Sequence, residues 1–474
     1  MGRKNRFRWG LGLLAAGILT CGMPLAALAA EGTMMGAENT SEFSAGSRAN
    51  DTDKSDGLVF EWLAEVPTVE TVFTAGGGTA VWTPELQDGK VVSGTLVLID
   101  AVINNSRGMG INFPVPVDIK VEGSNQITST STGIYLADRA TGNPLDLKIA
   151  GSGSLEIRSQ GSGVQAAGNI VIDTVRLDVV YGSSSAVDCH GLLTVGGDIE
   201  IENSKYVKVK SNAAGIGNNG GAIYAGQNRG QTVRIVNSHV IAITGEGSAI
   251  DANSGKIELV SSDVRAIGKA GDGSRITGTL AYFDGCTMDG GTLFAQNNGA
   301  DLEIPSTPDA PLRASNSAVL YGTKTGGLPL EGDLIWYLEC SYDENADEIT
   351  QMGRGYVFGD VIWNGNMAFG GSITIGYVEK EASLTIPQGF TLNIPDGCWF
   401  SVGNSKQQSS NRLINNGNIA VKEGGEINIF PNSTVINNGT INVQSSGGIY
   451  NYFDKSSQTG GLFQNSGAMN VLAG

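Results

Sequence analysis

Short alternations of apolar and polar residues dominate this chain and return at regular intervals. Each unit begins with an apolar-x-apolar pair, passes a small or polar corner, and ends with a second pair of apolar alternates. The units start 23 to 34 residues apart, at Leu96, Ile119, Leu147, Ile170, Ile199, Val233, Ile257 and Leu280. A period of two within each unit predicts strands rather than helices. The regular return predicts that each unit forms one coil of a stacked solenoid.

The corner position of each unit is small or turn-forming. Four residues after each start, the chain places Asp100, Gly123, Gly151, Thr174, Asn203, Asn237, Ser261 and Asp284. Glycine and asparagine tolerate the left-handed backbone that a sharp corner requires. We therefore expect one column of corners, each lying above the corner of the preceding coil.

Near the C-terminus the repeat takes an Asn-Gly form. Its copies are Leu413–Val421, Val435–Val443 and, more loosely, Phe463–Val471. Asn-Gly is also the strongest short hairpin signal, so an antiparallel arrangement is the rival interpretation. The flanking strands are very short and the same register returns in each copy, which favours parallel coils. In that arrangement, the third residue of each copy stacks at a corner: Asn415, Asn437 and Asn465.

These patterns predict an all-β fold: a right-handed, single-stranded parallel β-helix (β-solenoid) with about 22–24 residues per coil, in two segments. The predicted organisation is a signal peptide (1–29), a disordered linker (30–57), an N-terminal cap (58–94), a parallel β-helix (95–300), a junction or insertion (301–354) and C-terminal β-solenoid repeats (355–474). One coil buries too little apolar surface to offset the entropy lost in ordering it, so the coils must stack to be stable.

The first 30 residues carry the signature of an export signal. A segment with four basic side chains precedes a nearly continuous apolar stretch over residues 9–28. The sequence Ala27-Leu28-Ala29 fits the small-x-small cleavage rule, which places cleavage after Ala29 or Ala30. We therefore predict a bacterial protein that is extracellular or on the cell surface, without membrane insertion after signal cleavage. An uncleaved membrane anchor is the alternative, although Pro24 and several glycines disfavour a spanning helix.

The charge balance narrows the classes of partner. The chain has 30 basic and 47 acidic residues, and removing residues 1–29 takes away four basic residues and no acid. The net charge therefore changes from −17 to −21 (26 − 47). Such an acidic chain argues against nucleic acid and anionic membranes as partners, because both need basic surface patches. Surface acids are suited to weak Ca²⁺ binding, but no cofactor is predicted.

The cysteines show neither a zinc pattern nor a dense disulfide pattern. Four remain after signal cleavage, far apart in the chain: Cys189, Cys286, Cys340 and Cys398. We expect small buried side chains, with one long-range disulfide as the alternative.

Several segments resemble a known class of proteins. Within residues 95–300, LVLIDAVINNS, IEIENSKYVKV and VRIVNSHVIAI resemble the right-handed parallel β-helix (pectate-lyase-like) domains of surface proteins from Gram-positive gut bacteria. Within residues 355–474, GYVFGDVIW, LTIPQGFTLNIP and the INNG-x-I-x-V unit resemble repeats near the ends of bacterial surface proteins. Some of the β-helix proteins are described as carbohydrate-binding. The resemblance implies the fold, a surface location and glycan binding, and it carries no residue-level site.

Two histidines are the most reactive-looking side chains. His190 lies in Asp188-Cys189-His190-Gly191, where a cysteine nucleophile and a histidine base are neighbours in the chain. Because neighbours on a strand point to opposite faces, we expect Cys189 to point inward and His190 outward with Asp188. His239 follows the Asn237-Ser238 corner, and we expect it to be a solvated turn residue.

Polysaccharide-degrading enzymes are the alternative on this scaffold. Galacturonan hydrolases of the fold show an Asp-Asp pair and a Gly-His-Gly. This chain has no Asp-Asp, and Cys189 stands where the first of those glycines should be. Lyases need a Ca²⁺-binding carboxylate cluster beside a basic side chain. Because Asp100, Asp198 and Asp284 lie in different predicted coils, the sequence favours a non-catalytic protein.

Glycan binding requires flat aromatic rings beside amide and carboxylate groups. The candidates lie in the longest insertion and around the junction: Tyr224, Asn228, Trp336, Tyr337 and Trp363. Alternatively, the tryptophans seal the core of the junction. The predicted function is adhesion or glycan recognition, with a polysaccharide or another surface protein as partner. The alternatives are a polysaccharide lyase or glycoside hydrolase, and the structural stalk of a surface protein.

Overall fold

The structure is a computed structural model. It describes residues 58–59, 66–137, 142–183, 189–212, 221–226, 229–245, 247–252, 254–268, 280–281, 284–297, 312–322, 330–337, 340–351, 353–363, 371–376, 380–405 and 409–472. The signal peptide, its cleavage at Ala29 or Ala30 and the linker lie outside these residues. The described chain is all-β, and its parallel strands stack into a β-solenoid of about 11 turns, which confirms the predicted fold class.

Most strands of the described chain are short, and β3, β4 and β27 are the longest at 10, 10 and 11 residues. The first fifteen are β1 (Leu58–Val59), β2 (Thr71–Ala75), β3 (Gly78–Gln87), β4 (Lys90–Ile99), β5 (Val102–Asn105), β6 (Ile111–Phe113), β7 (Val117–Glu122), β8 (Ser124–Ser129), β9 (Ile134–Leu136), β10 (Leu147–Ala150), β11 (Ser154–Ser159), β12 (Val164–Ala166), β13 (Ile170–Asp173), β14 (Arg176–Tyr181) and β15 (Leu192–Thr194). The next fifteen are β16 (Ile199–Glu202), β17 (Tyr206–Ser211), β18 (Ile223–Ala225), β19 (Arg229–Val236), β20 (His239–Ile243), β21 (Ile250–Asp251), β22 (Ser254–Val260), β23 (Asp263–Gly268), β24 (Leu280–Ala281), β25 (Gly285–Asp289), β26 (Thr292–Asn297), β27 (Leu312–Gly322), β28 (Leu330–Tyr337), β29 (Ser341–Asp343) and β30 (Glu348–Gln351). The last fifteen are β31 (Gly355–Ile362), β32 (Ile373–Ile375), β33 (Ala382–Ile386), β34 (Thr391–Ile394), β35 (Trp399–Val402), β36 (Arg412–Asn415), β37 (Asn418–Val421), β38 (Glu426–Ile429), β39 (Thr434–Asn437), β40 (Thr440–Val443), β41 (Gly448–Asn451), β42 (Phe453–Asp454), β43 (Thr459–Gly460), β44 (Leu462–Asn465) and β45 (Ala468–Val471).

The first solenoid is built from three columns of parallel strands. One column contains β1, β6, β9, β12, β15, β18, β21 and β24. A second runs from β4 through β7, β10, β13, β16, β19, β22 and β25 to β27. The third runs from β5 through β8, β11, β14, β17, β20, β23 and β26 to β27. Because β27 pairs in parallel with β28, the stack extends beyond residue 300.

Most of the predicted register holds. Ile170 pairs with Ile199, and Val233 pairs with Ile257, as the repeat predicts. The assignment of Leu280 to the next position is wrong, because Cys286 is the partner of Ile257. Leu280 lies instead in the first column, opposite Ile250. The insertion that precedes it shifts the repeat by six residues, which the apolar pattern alone does not reveal.

The predicted column of corners is present. Left-handed backbone occurs at seven of the predicted positions, with φ from 46° to 137°: Asp100, Gly123, Gly151, Thr174, Asn203, Asn237 and Ser261. The eighth prediction, Asp284, is wrong for the same reason as Leu280. The corner of that coil is Gly290, with φ of 66°.

An antiparallel meander precedes the parallel stack. β2 pairs with β3 and β3 with β4, both antiparallel, before β4 joins β7 in parallel. Trp82 of β3 is fully buried and stacks on Phe113, with ring centroids 4.8 Å apart. Its indole N–H donates to the carbonyl of Pro67 at 2.9 Å. This tryptophan fixes the meander to the first coils.

The second solenoid contains the Asn-Gly repeats, and these are parallel rather than antiparallel. Its columns are β33–β36–β39–β44, β32–β35–β38–β41 and β34–β37–β40–β45. The predicted asparagine stack is confirmed. The Asn415 amide donates to Asn437 Oδ1 at 2.7 Å, and the Asn437 amide donates to Asn465 Oδ1 at 2.7 Å.

Two hydrophobic cores lie on opposite faces of β27 and β28. Leu334 and Trp336 of β28 belong to the core of the first solenoid. Ile335 and Tyr337 belong to the core of the second. The strand that follows, β31, pairs antiparallel with β28 and parallel with β32 and β33. The chain therefore reverses direction here and builds its second solenoid on the outer face of the first.

The cysteines pack as small side chains. None of the four described cysteines forms a disulfide, which excludes the disulfide alternative in this structure. Cys189, Cys286 and Cys340 are buried, whereas Cys398 is partly exposed. Burial raises the pKa of the Cys286 thiol to about 12, so this group stays protonated and unreactive near neutral pH.

Candidate functional site

The aromatic residues singled out from the sequence at the junction lie inside the protein. Trp336 and Trp363 are each 3% exposed, and Tyr337 is fully buried. A ring must present a face to solvent to stack on a sugar, so this arrangement favours the packing alternative for these three residues. Tyr224 is half-buried. Asn228 lies outside the described residues.

His190 packs against Tyr224 in the protein interior. The two rings stack with centroids 4.4 Å apart and planes 29° apart, and His190 is 8% exposed. The expectation that His190 points outward is wrong. It lies before β15 and outside any strand, so strand alternation does not apply to it. Burial lowers its pKa to about 4, which keeps the imidazole neutral.

His239 is a bridging residue rather than a solvated turn residue, so that expectation is also wrong. It begins β20 and contacts two carboxylates: Nδ1 lies 3.0 Å from Asp263 Oδ2, and Nε2 lies 2.7 Å from Asp347 Oδ2. The hydrogen bond to Asp263 raises the pKa of His239 against the opposing effect of burial, and Asp347 raises it further.

Asp347 belongs to a hairpin that folds over the side of the first solenoid. We call the hairpin β29–β30, residues 341–351, the strap. Its turn is closed by Asp343, whose carboxylate accepts from the backbone N–H groups of Asn345 and Ala346 at 2.8 and 3.3 Å. Tyr342 packs on Phe294 of β26, with ring centroids 5.3 Å apart. The strap thus covers apolar side chains that point outward from the stack.

The surface beside the strap, which we call the lateral face, carries outward side chains of β14, β17, β20 and β23. Arg176, Tyr206, His239 and Asp263 stack in register, one on each coil. The Arg176 guanidinium lies 4.1 Å from the centroid of the Tyr206 ring. This column therefore combines an aromatic ring with charges of both signs, as the sequence alone could not show.

Asp263 is the acceptor that several of these side chains share. It accepts hydrogen bonds from His239, Thr292 and Arg265, with Arg265 Nη2 at 3.0 Å. Burial works to raise the pKa of Asp263, but these donors outweigh it and lower the pKa to about 2. The carboxylate is therefore ionised and fully engaged. Since both nitrogens of His239 are also bound to carboxylates, the cluster ties the strap to the lateral face.

A second surface feature, the aromatic patch, lies on the last coils of the second solenoid. It consists of Phe430, Tyr450, Tyr452 and Phe453, of which the last three are 46%, 45% and 62% exposed. Tyr452 stacks on Phe430 with centroids 4.7 Å apart and planes 9° apart. The Tyr450 ring lies over Gly448, where a Cβ would come within 2.6 Å of it. The missing side chain lets the ring lie flat against the strand.

Polar groups accompany these rings. Asn428 is the register partner of Tyr450 and is 7% exposed. Its amide N–H donates to Glu426 at 3.3 Å, while its Oδ1 has no hydrogen-bond partner among the described residues. Asp454, next to Phe453, accepts from Ser456 and Ser457. Flat rings beside amide and carboxylate groups are the combination that glycan recognition requires, and the sequence analysis missed this set.

A shallow cleft of about 430 Å³ lies where β3 and β4 meet the next coils. Its lining is polar and aliphatic, including Glu85, Asp118, Asp146, Lys148 and Asn169. Among the described residues no aromatic side chain lines it, so it is less suited to stacking on a sugar ring than the aromatic patch.

The described residues contain neither a cluster of metal-ligating side chains nor a long apolar helix. In that part of the chain, no group of three or more His, Cys, Asp or Glu side chains is arranged to hold a metal ion. Weak Ca²⁺ binding stays a prediction. Nor does the described chain contain a helix long and apolar enough to cross a membrane.

Comparison with known proteins gave no relatives: no family model, curated protein or solved structure matches this chain. The structure supports the resemblance to parallel β-helix proteins at the level of the fold.

Proposed function

We propose that this protein is an exported, non-catalytic solenoid that recognises glycans at the cell surface. The observation that carries the proposal is the aromatic patch, in which Tyr450, Tyr452 and Phe453 expose ring surface beside Asn428. Rings fixed on a strand expose apolar area without a large entropy cost on binding. The partly exposed carboxylate of Asp454, next to Phe453, supplies acceptors for sugar hydroxyls.

The lateral face supports a non-catalytic protein. The histidine with the most charged surroundings, His239, has both ring nitrogens bound to carboxylates. A general base needs a free nitrogen within reach of its substrate. The export signal predicted at residues 1–29 supports the surface location, and the scaffold also fits the stalk of a surface protein.

The experiment that tests the function is a glycan-array screen followed by calorimetry with the purified protein. We expect Tyr450→Ala to weaken binding of the glycans found roughly tenfold or more, given the apolar area that a tyrosine ring covers. Phe390→Ala is the matched control, since Phe390 is an aromatic residue of the same solenoid, 37% exposed and outside the patch.

Three results would contradict the proposal. One is an absence of binding across plant, mucin and bacterial glycans, and another is equal loss in both variants. Release of reducing or unsaturated ends from a polysaccharide would instead establish the enzyme alternative. Sequencing the N-terminus of the exported protein tests the location, and a mature chain that begins at Ala30 or Glu31 is expected.

A further inference from the structure

Two lysines on the lateral face share one carboxylate of the strap. Lys208 and Lys210 project outward from β17, on either side of the buried Val209. Their Nζ atoms lie 3.3 and 2.6 Å from the same oxygen of Glu344, Oε1. The Lys208 side chain is only 18% exposed, so its ammonium depends on this carboxylate for much of its solvation.

Further cations lie on the neighbouring coils. Arg158 of β11 and Arg176 of β14 stand on the two preceding coils of the same column of strands. Successive parallel strands are about 4.8 Å apart, so three consecutive coils present cations at a short and regular interval. Acids alternate with these cations, since Arg158 pairs with Glu156 and Asp178 is the register partner of Lys208, so the cations are spaced along the face.

Glu344 can leave the lysines without release of the strap. The strap is held separately by the contact of Asp347 with His239 at 2.7 Å and by the packing of Tyr342 on Phe294. Burial works to raise the pKa of Glu344, but Lys210 and Lys208 outweigh it and lower the pKa. The group between the lysines is therefore an ionised carboxylate on a side chain that is 31% exposed and can turn toward solvent.

We propose that Lys208 and Lys210 form a binding site for the carboxylates of an acidic polysaccharide, which Glu344 occupies until the ligand displaces it. A linear polyanion that runs along the stack meets the cations of successive coils, and the Tyr206 ring lies among them. The strap thus acts as a built-in competitor that sets the affinity. This site is separate from the aromatic patch and does not depend on it.

The experiment measures the affinity of a hyaluronan hexasaccharide by calorimetry at low ionic strength. Glu344→Gln removes the competing charge and keeps the size of the side chain, so we expect binding about tenfold tighter than in the wild type. The double variant Lys208→Met, Lys210→Met should lose most of the affinity. Carboxyl-reduced hexasaccharide, which carries no charge, should not distinguish Glu344→Gln from the wild type.

Two variants serve as controls. Lys256→Met removes an exposed lysine that pairs with Glu258 on a different column of strands and should leave the affinity unchanged. Asp347→Asn weakens the contact of the strap with His239 without touching either lysine and should also have little effect. Circular dichroism checks that each variant folds.

The outcomes separate this inference from the proposed glycan function. Unchanged affinity in Glu344→Gln, or equal tightening in Asp347→Asn, overturns the competition by Glu344. Preference for poly-glutamate over hyaluronan overturns the polysaccharide as ligand. Loss of hyaluronan binding in Tyr450→Ala, with no effect of the lysine variants, overturns the lateral site and supports the aromatic patch. Binding of hyaluronan by none of the variants overturns this inference, whereas the array screen alone decides the aromatic patch.

Discussion

The corner residues have left-handed backbone, and their side chains determine how much strain each corner carries and how it bonds to the next coil. Left-handed backbone costs a residue with a Cβ about 1–2 kcal/mol, and the cost is largest for β-branched side chains. Asp100 offsets it, because its Oδ1 accepts from the backbone N–H of Ser124 on the next coil at 2.8 Å. Among the described residues, the side chain of Thr174, which has φ of 56°, makes only a 3.2 Å hydrogen bond to the partly buried Asp173. Thr174 is therefore a strained corner with little compensation.

We expect Thr174→Gly to stabilise the protein by about 0.5–1 kcal/mol, because relief of strain exceeds the entropy that glycine adds to the unfolded chain. Urea unfolding measures the change. Asn203→Gly is the matched control, since Asn203 has φ of 52° and asparagine tolerates this region. An equal gain in both variants, or a loss in Thr174→Gly, would contradict the strain at Thr174.

The two histidines act on stability in opposite directions with pH. Stability rises with pH wherever the unfolded chain binds more protons than the folded one. His190 has a pKa of about 4 against an ordinary 6.5, so its contribution rises between these values. The pKa of His239 lies above 6.5, so its contribution is complete below 6.5 and is lost as pH rises through the raised pKa. Together they place a stability maximum near the ordinary histidine pKa.

Denaturant unfolding from pH 4.5 to 8.5 tests this pair. We expect His190→Gln to flatten the rise in unfolding free energy below pH 6.5, and His239→Gln to flatten the fall above it. Each variant is the control for the other, because the chain has only these two histidines. The assignment fails if His239→Gln alters the slope only on the acidic side. The first of its partners, Asp263, has a pKa lowered to about 2 and stays ionised throughout this range.

At the scale of the element, each Asn-Gly coil is joined to the next through an amide ladder. Asn437 is fully buried, accepts from Asn415, and donates both to Asn465 and to the carbonyl of Ala468 at 3.1 Å. The adjacent Asn438 donates to Asn416 at 3.0 Å but is exposed. The two ladders differ in burial rather than in chemistry.

We expect Asn437→Ala to cost about 1–3 kcal/mol, because it leaves buried amide and carbonyl groups without partners. Asn438→Ala should cost less than about 0.5 kcal/mol, since water replaces an exposed partner. Thermal unfolding compares the two. Similar losses would mean that burial does not control the strength of the ladder.

Elements that repeat locally could be predicted from the sequence, whereas elements joined over long distances could not. The corner column and the stack of Asn415, Asn437 and Asn465 follow from residue types that return with the coil. The strap could not be found in this way, because His239 and Asp347 are 108 residues apart and the acidic run around Asp347 has no apolar period. The register of Leu280 could not be predicted for a similar reason, because the apolar pattern does not reveal the insertion that precedes it.

Strand alternation does predict one residue of the aromatic patch, Tyr450. Ile449 faces the second core and is followed by Tyr450, so strand alternation alone places Tyr450 on the outside. Trp336 and Tyr337 could not be separated in this way. Both faces of β28 are buried, so alternation there distinguishes one core from the other and not inside from outside.

At the scale of the whole molecule, the shared strands couple two cores that are otherwise separate. Leu334 and Ile335 are adjacent and both fully buried, yet they belong to different cores. Truncating either creates a cavity that costs about 2–5 kcal/mol. The lost packing lies in the first core when Leu334 is truncated and in the second core when Ile335 is truncated.

We expect Leu334→Ala to reduce amide protection mainly in β23 and β26, and Ile335→Ala to reduce it mainly in β33 and β36. Hydrogen exchange followed by mass spectrometry measures both. Each variant removes aliphatic volume from a neighbouring position in the same strand, so each controls for local damage to β28. Identical exchange patterns would mean that the two solenoids unfold as one unit.

Because the two faces of β28 belong to different cores, the number of residues within this strand is constrained. Whole coils and corner loops can be gained or lost elsewhere, as intervals from 23 residues (Leu96 to Ile119) to 34 residues (Ile199 to Val233) illustrate. One residue inserted or deleted within β28 would turn every later side chain of that strand to the opposite face. Both interiors would then receive side chains shaped for the other. Insertions and deletions on either side of β28 can therefore change the length of the protein. Within β28, a change of one residue is not tolerated, because it would exchange the side chains that the two cores receive.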